Sequence, residues 1–475
     1  MKINQIYTSC LAQGAYFIEN NGEAAVIDPL RDIQVYLDLA EERKATIKYI
    51  FETHFHADFV SGHIDLSKKT GAPIIYGPQS AATGYEIMKG GDGQEFTLGD
   101  ARIRLIHTPG HTLESTCYLL IDNTGKPTAL FTGDTLFIGD VGRPDLAQHV
   151  VTDLTPEKLA GMLFDSLRNK IMPLPDDIIL YPAHGAGSAC GKKMSSETQD
   201  TLGNQKNTNY ALDPKLTREG FIRELLTGLT PPPGYFPKNV LMNIQGYDSF
   251  DEVIKRGYEP LSADNFERIK QESDVWIIDT RMAEIFSDGF IPGSINIGID
   301  GGFAVWVGTL VPDIDQKILV VAEPGREKEV ITRLSRVGYD HCLGYLEGGI
   351  DAWKKSGKIL DHIKRVSAEG LSEIQKDIQQ THIIDVRKNS EYEAEHIAHA
   401  LNLPLDSYKE SMASIDKAHP YYVHCAAGYR SMIYISLLRA NGFHNLIDVT
   451  GGYKAIKASG KFILTADNNP QPMLK

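Results

Sequence analysis

Short apolar runs alternate with amphipathic stretches along most of the chain. Ala15-Tyr16-Phe17-Ile18 and Ala24-Ala25-Val26-Ile27 flank Asn20-Asn21-Gly22 and predict a β-hairpin. Ile47-Lys48-Tyr49-Ile50-Phe51, Ile103-Arg104-Leu105-Ile106, Ala129-Leu130-Phe131 and Ile178-Ile179-Leu180 read as buried strands, whereas Val35 to Arg43 has helical spacing. Each of those strands runs into a polar loop. The loops hold His54-Phe55-His56-Ala57-Asp58, Thr108-Pro109-Gly110-His111, Thr132-Gly133-Asp134-Thr135 and Tyr181-Pro182-Ala183-His184. Loops at one edge of a sheet scaffold are where sites are built.

Beyond Leu229 the pattern changes. Thr230-Pro231-Pro232-Pro233-Gly234-Tyr235-Phe236-Pro237 cannot continue a helix, and its two aromatics predict a linker strapped over a surface. The chain then repeats itself. Ile277-Ile278-Asp279-Thr280-Arg281 recurs as Ile383-Ile384-Asp385-Val386-Arg387, Asn296 as Asn402, and Gly348-Gly349 as Gly451-Gly452. Each repeat is domain-sized and alternates strand and helix, so this is a duplicated α/β domain with a parallel sheet. The divisions are 1–228, a linker over 229–257, a first copy over 258–362 and a second over 363–475.

Composition narrows the function classes. A chain of 475 residues has room for about three domains. The formal net charge of −14 argues against nucleic acid or an anionic membrane as partner. Five widely spaced cysteines make no disulfide framework and fit a reducing cytosol. No run approaches the roughly 18 apolar residues of a membrane span, and the expected location is cytoplasmic.

Imidazoles at i and i+2 with a carboxylate at i+4, on a loop ending a strand, can converge on one point. Gathering them without a cation is costly. The order His-x-His-x-Asp, Gly-His, Gly-Asp-Thr and Pro-Ala-His resembles the metallo-β-lactamase fold, which implies an αββα sandwich with the metal at one end of two facing sheets. One position departs from the pattern. Binuclear hydrolases of that superfamily, such as glyoxalase II, follow the Asp with a second His, but here the residue is Phe59, which has no lone pair to donate. A single metal is therefore expected. The resemblance extends to the persulfide dioxygenase branch, which implies mononuclear Fe(II) held by His54, His111 and Asp134, with His56, Asp58 and His184 orienting ligands and water. It also implies that Arg143 grips an anionic persulfide and that Tyr181 reaches the iron pocket. Cys190, near Lys192 in a glycine-bearing loop, reads equally well as a reactive thiol or a structural one.

In the second copy the strand Tyr421-Tyr422-Val423-His424 ends at Cys425, before Ala426-Ala427-Gly428-Tyr429-Arg430 and a helix. Backbone N–H groups and a helix amino terminus around Cys425 predict a depressed thiol pKa and a thiolate nucleophile. Cys-x4-Arg is tighter than the phosphatase Cys-x5-Arg, and the unit resembles a rhodanese sulfurtransferase, with Gly428, Tyr429 and Arg430 around the transferred sulfur. In the first copy, Ala322 and Glu327 stand at the positions of Cys425 and Arg430, so that copy is expected to be non-catalytic, with Cys342 structural. The resemblance as a whole is to persulfide dioxygenase–rhodanese fusions. It implies that a thiol persulfide and O2 give sulfite, and that Cys425 passes a sulfur to sulfite, giving thiosulfate. It implies too a symmetric homo-oligomer, dimer or tetramer. The alternatives are a zinc thioesterase of glyoxalase II type and a sulfur-relay protein without oxygenase activity.

Overall fold

A computed structural model describes residues 1–147, 154–229, 231–375 and 381–466; Thr230 of the proline run and the end of the last repeat lie outside the described residues. The chain divides into two compact units. One comprises Met1–Val253 with Pro312–Ile314 and Thr332–Asp340; the other comprises Ile254–Val311, Asp315–Ile331 and His341–Lys475.

The first unit is built on two six-stranded sheets. Phe51, Phe96, Tyr118, Leu120 and Phe131 fill the space between them, because alternate residues of each strand point inward. Outside the first sheet, Phe17, Val26 and Ile50 pack with Tyr36 and Leu66 of the helices Gln34–Arg43 and His63–Thr70. Outside the second, Leu119, Leu130 and Leu180 pack with Leu163 and Phe221 of the helices Pro156–Ser166 and Arg218–Leu226. The result is the αββα sandwich that the family resemblance implied.

Strand direction places the loops. Pro127–Gly133 runs parallel to Ile179–Pro182, and Thr116–Ile121 is antiparallel to both Pro127–Gly133 and Ala101–His107. The loops carrying His111, Asp134 and His184 therefore leave from one edge of that sheet. Gly133 turns the chain into Asp134 at a φ of +52°, and a Cβ there would lie 2.6 Å from the Thr53 side chain. Glycine is needed at that position for both reasons.

The stretch expected to be a linker is strapped down, with Tyr235 and Phe236 buried, but it does not stay extended. Past the prolines it forms the helices Phe236–Gln245 and Phe250–Gly257. Pro237 sits in the first turn of the former, where its missing N–H breaks no helical bond.

The second unit contains two five-stranded sheets with the same strand order. The sequence repeat has a structural cause. Arg281 clamps Asp279 and reaches the Gly289 carbonyl, as Arg387 clamps Asp385 and reaches the Glu395 carbonyl. The Asn296 amide donates to the Asp279 and Arg281 carbonyls, and Asn402 does the same to Asp385 and Arg387. Among the described residues no helix is long and apolar enough to cross a membrane.

Candidate functional site

His54, His111 and Asp134 are buried and offer ligand atoms that all lie within 4.8 Å of one another. Each imidazole is held in the tautomer a metal requires. His111 Nδ1 donates to the Arg143 carbonyl at 2.8 Å, which leaves the Nε2 lone pair facing Asp134 Oδ2 at 3.5 Å. The Thr53 hydroxyl donates to Asp28 at 2.8 Å, so it accepts from His54 Nδ1 at 3.0 Å and leaves His54 Nε2 open. Asp28 adopts an uncommon φ of +49° and also accepts from the Thr53 N–H. Asp134 Oδ1 accepts from His184 Nδ1 at 2.8 Å, whereas its buried Oδ2 has no hydrogen-bond partner. Two lone pairs and an orphaned carboxylate oxygen aimed at one point fit a cation. Burial, then the neighbouring His56, holds His54 well below the usual imidazole range and so keeps it neutral.

Two further donor clusters adjoin this one. In the first, Asp58 and Asp134 grip His184 from both sides at 2.8 Å. Burial opposes its charge, but the two carboxylates outweigh burial and hold its pKa well above the usual value. Cys190 completes that cluster. Burial and the same two carboxylates push its thiol pKa up, so it is not an activated thiolate. The second cluster is Asp28, Glu52 and His56, in which Glu52 is pushed well up by burial and then by Asp28. His56 does not hydrogen-bond the first cluster; its ring lies 4.2 Å from that of His54 and 4.4 Å from that of Phe59.

A cavity of about 160 Å³ opens at His111, walled mainly by Phe55, Leu113, Leu146, Val240 and Ile244. Neither of the expected substrate-binding residues lines it. Arg143 is buried, and its guanidinium forms a two-pronged pair with Asp145 at 2.7 and 2.6 Å. The Tyr181 ring stacks on Phe131 at 5.3 Å between the sheets. The Arg143 backbone carbonyl also reaches the site, where it accepts from His111.

The helix Phe236–Gln245 supplies what the sequence did not reveal. Asn243, fully buried, donates to the His56 and Phe59 carbonyls at 2.8 Å and accepts from the Ser61 N–H at 3.0 Å. Three backbone groups of the loop that carries His54 and His56 are thereby satisfied by a residue nearly 200 positions away. No local pattern signals that contact. Asp28 could have been found, because it too ends an apolar strand at the same sheet edge.

In the second unit, Cys425 is buried and its Sγ accepts from the Gly428 N–H at 3.1 Å. Gly428 has a φ of +104°, which folds the loop back over the sulfur. Arg430 pairs with Glu391 at 2.6 and 2.8 Å, which raises its pKa. The Tyr429 hydroxyl donates to the Gly298 carbonyl at 2.8 Å. In the first copy, a Cβ on Gly349 would meet the Ala322 carbonyl at 3.2 Å, as one on Gly452 would meet the Cys425 carbonyl at 2.5 Å. The two loops occupy equivalent places, one with a thiol and one with a methyl.

Comparison with known proteins adds the family. Residues 10–184 match the metallo-beta-lactamase superfamily, and residues 262–356 and 367–459 match the rhodanese-like domain. A metallo-beta-lactamase from Staphylococcus aureus of known structure is 32% identical over 73% of this chain and 98% of that one, with a TM-score of 0.64. The chain belongs to the metallo-beta-lactamase superfamily. That membership implies a bound metal and an enzyme of hydrolase or oxygenase type. Among curated relatives, a hydroxyacylglutathione hydrolase of Brucella ovis is 38% identical over 30% of this chain and 50% of its own length. A probable hydroxyacylglutathione hydrolase of Schizosaccharomyces pombe is 29% identical over 34% and 58%. The chain thus spans little more than half of these curated relatives.

Proposed function

We propose that this metallo-beta-lactamase superfamily member is a bifunctional persulfide-oxidising enzyme. The first unit converts R–S–SH, O2 and water to R–SH, sulfite and two protons. The second unit carries a sulfane sulfur as Cys425–S–SH, and sulfite attacks its outer sulfur, releasing thiosulfate and restoring the Cys425 thiolate. His54, His111 and Asp134 would hold Fe(II), which supplies the redox chemistry linking O2 to the terminal persulfide sulfur. The apolar cavity binds the arm that carries the persulfide, and its walls exclude bulk water. His184, charged between two carboxylates, fixes the direction of Asp134. The Gly428 N–H stabilises the thiolate on Cys425.

The observation that carries this reading is the three-donor set together with the residue at position 59. The Phe59 ring is fully buried against His56, at the sequence position where a paired site would have its second imidazole. A second reading has an observation of its own. Asp58, His184 and Cys190 form another three-donor set, which supports a paired-metal thioester hydrolase, and the curated relatives are hydroxyacylglutathione hydrolases. Metal content and O2 uptake with a persulfide separate the two. The proposal expects one iron per chain and O2 consumption, both retained in Cys190→Ser. Two metals per chain, one of them lost in Cys190→Ser, with no O2 uptake, would overturn it.

A further inference from the structure

The Cys-less rhodanese-like copy has lost its nucleophile, yet it touches the helix Tyr429–Ala440, which follows the Cys425 loop, along its whole length. At the start, the Tyr429 hydroxyl is bound to the Gly298 carbonyl. In the middle, Ser436 Oγ accepts from the Asn296 N–H at 3.0 Å. At the end, Arg439 forms a two-pronged pair with Asp361 at 2.7 and 2.6 Å.

The seat for Tyr429 is built for it. A Cβ on Gly301 would fall 2.3 and 2.4 Å from atoms of the Tyr429 ring, and one on Gly298 would fall 3.2 Å from it. Neither glycine has a positive φ, so backbone conformation does not call for glycine at either place. At Gly301 the ring is what excludes a side chain. The turn itself is fixed from within its own copy. Arg326, which follows the loop glycine Gly325 as Tyr429 follows Gly428, pairs with Asp300 at 2.9 and 2.8 Å. Both loop-following residues thus converge on one turn: Arg326 braces it and Tyr429 docks in it.

We infer that the Cys-less copy is part of the sulfurtransferase site: its Gly298–Gly301 turn is the anchor that sets the position of the Cys425 loop, with Tyr429 as the positioning residue. Gly428, whose N–H holds the Cys425 sulfur, is bonded directly to Tyr429, so a displacement of the ring moves the donor. The inference rests on the sulfurtransferase reading for its consequence, but its geometry can be tested without it.

Two readouts are made on the full-length chain: thiocyanate formation from thiosulfate and cyanide, and the rate at which iodoacetamide alkylates Cys425, followed by mass spectrometry. Gly301→Ala expels the ring and lowers thiocyanate formation about tenfold or more, since misplacement near 1 Å is costly; it also changes the Cys425 alkylation rate and leaves O2 uptake at the wild-type value. Tyr429→Phe, which removes only the hydroxyl, acts in the same direction with a smaller effect and covers the case in which Gly301→Ala does not fold. In a Tyr429→Ala background, Gly301→Ala has no further effect. Equal effects of Gly301→Ala with and without the tyrosine ring, or unchanged Cys425 alkylation in both Gly301→Ala and Tyr429→Phe, would overturn the inference. If wild type forms no thiocyanate, the sulfurtransferase reading fails, and alkylation still decides the anchor.

Discussion

His184 is a charged imidazole in a dry place, and its proton is what the two candidate readings dispute. It sits between Asp58 and Asp134, both buried, at hydrogen-bond distance from each. A lone ion at His54, His111 and Asp134 leaves that proton in place, whereas a second ion beside Cys190 would displace it. The sign of the resulting pH dependence follows from the raised pKa. A histidine whose folded pKa lies above its unfolded value of about 6.5 contributes full stabilisation below that value and loses it as pH rises through the folded pKa. Chelator-treated protein should therefore melt at progressively lower temperature as pH is raised above neutrality. His184→Gln should flatten that slope, in melting curves taken across the range. Iron-loaded protein should keep the slope if one ion is bound per chain.

Among secondary-structure elements, the helix Phe236–Gln245 has the largest gap between appearance and role. The ligand-bearing loops were legible because each follows an apolar strand directly, so one-dimensional order already carries the three-dimensional edge. The rhodanese repeat was legible because paired Asp, Arg and Asn residues recur at one spacing and make the same contacts twice. Three prolines, by contrast, look the same before a tether and before a helix, and Asn243 owes its importance to a partner loop far away in sequence. Cys190 is half legible: its glycine-bearing loop stands out in the sequence, but only the fold brings its sulfur beside Asp58 and His184. For Arg143 and Tyr181 only resemblance to a family suggests a role in binding; in the structure the first pairs with Asp145 and the second stacks on Phe131. Removing the Asn243 amide should leave the His56 and Phe59 carbonyls and the Ser61 N–H without partners in a buried place. Each unsatisfied group costs about 1–3 kcal/mol where water cannot reach it. Asn243→Ala should lower the melting temperature of the first unit and weaken its metal binding, read by calorimetry and by competition with a chromophoric chelator. The alkylation rate of Cys425 should stay at the wild-type value, because among the described residues the hydrogen-bond partners of that amide all belong to the first unit.

Under the proposed function the chain joins a unit that makes sulfite to one that consumes it, and the join itself has a kinetic consequence. A product released at one site of a chain is present at the other site of the same chain at an effective concentration set by the linkage, not by dilution. Asp134→Ala should abolish O2 uptake and leave thiocyanate formation from thiosulfate and cyanide intact. Cys425→Ser should do the reverse, consuming O2 and accumulating sulfite. A mixture of the two variants, supplied with a persulfide and O2, contains both activities on different chains. It should regain thiosulfate formation, but only through sulfite that has crossed bulk solution. Thiosulfate per O2 consumed should therefore fall with dilution in the mixture and hold constant for wild type, as measured by ion chromatography against an oxygen electrode. If wild type and mixture respond identically to dilution, sulfite equilibrates with solvent before it is used, and the fusion serves co-production of the two activities, not transfer between them.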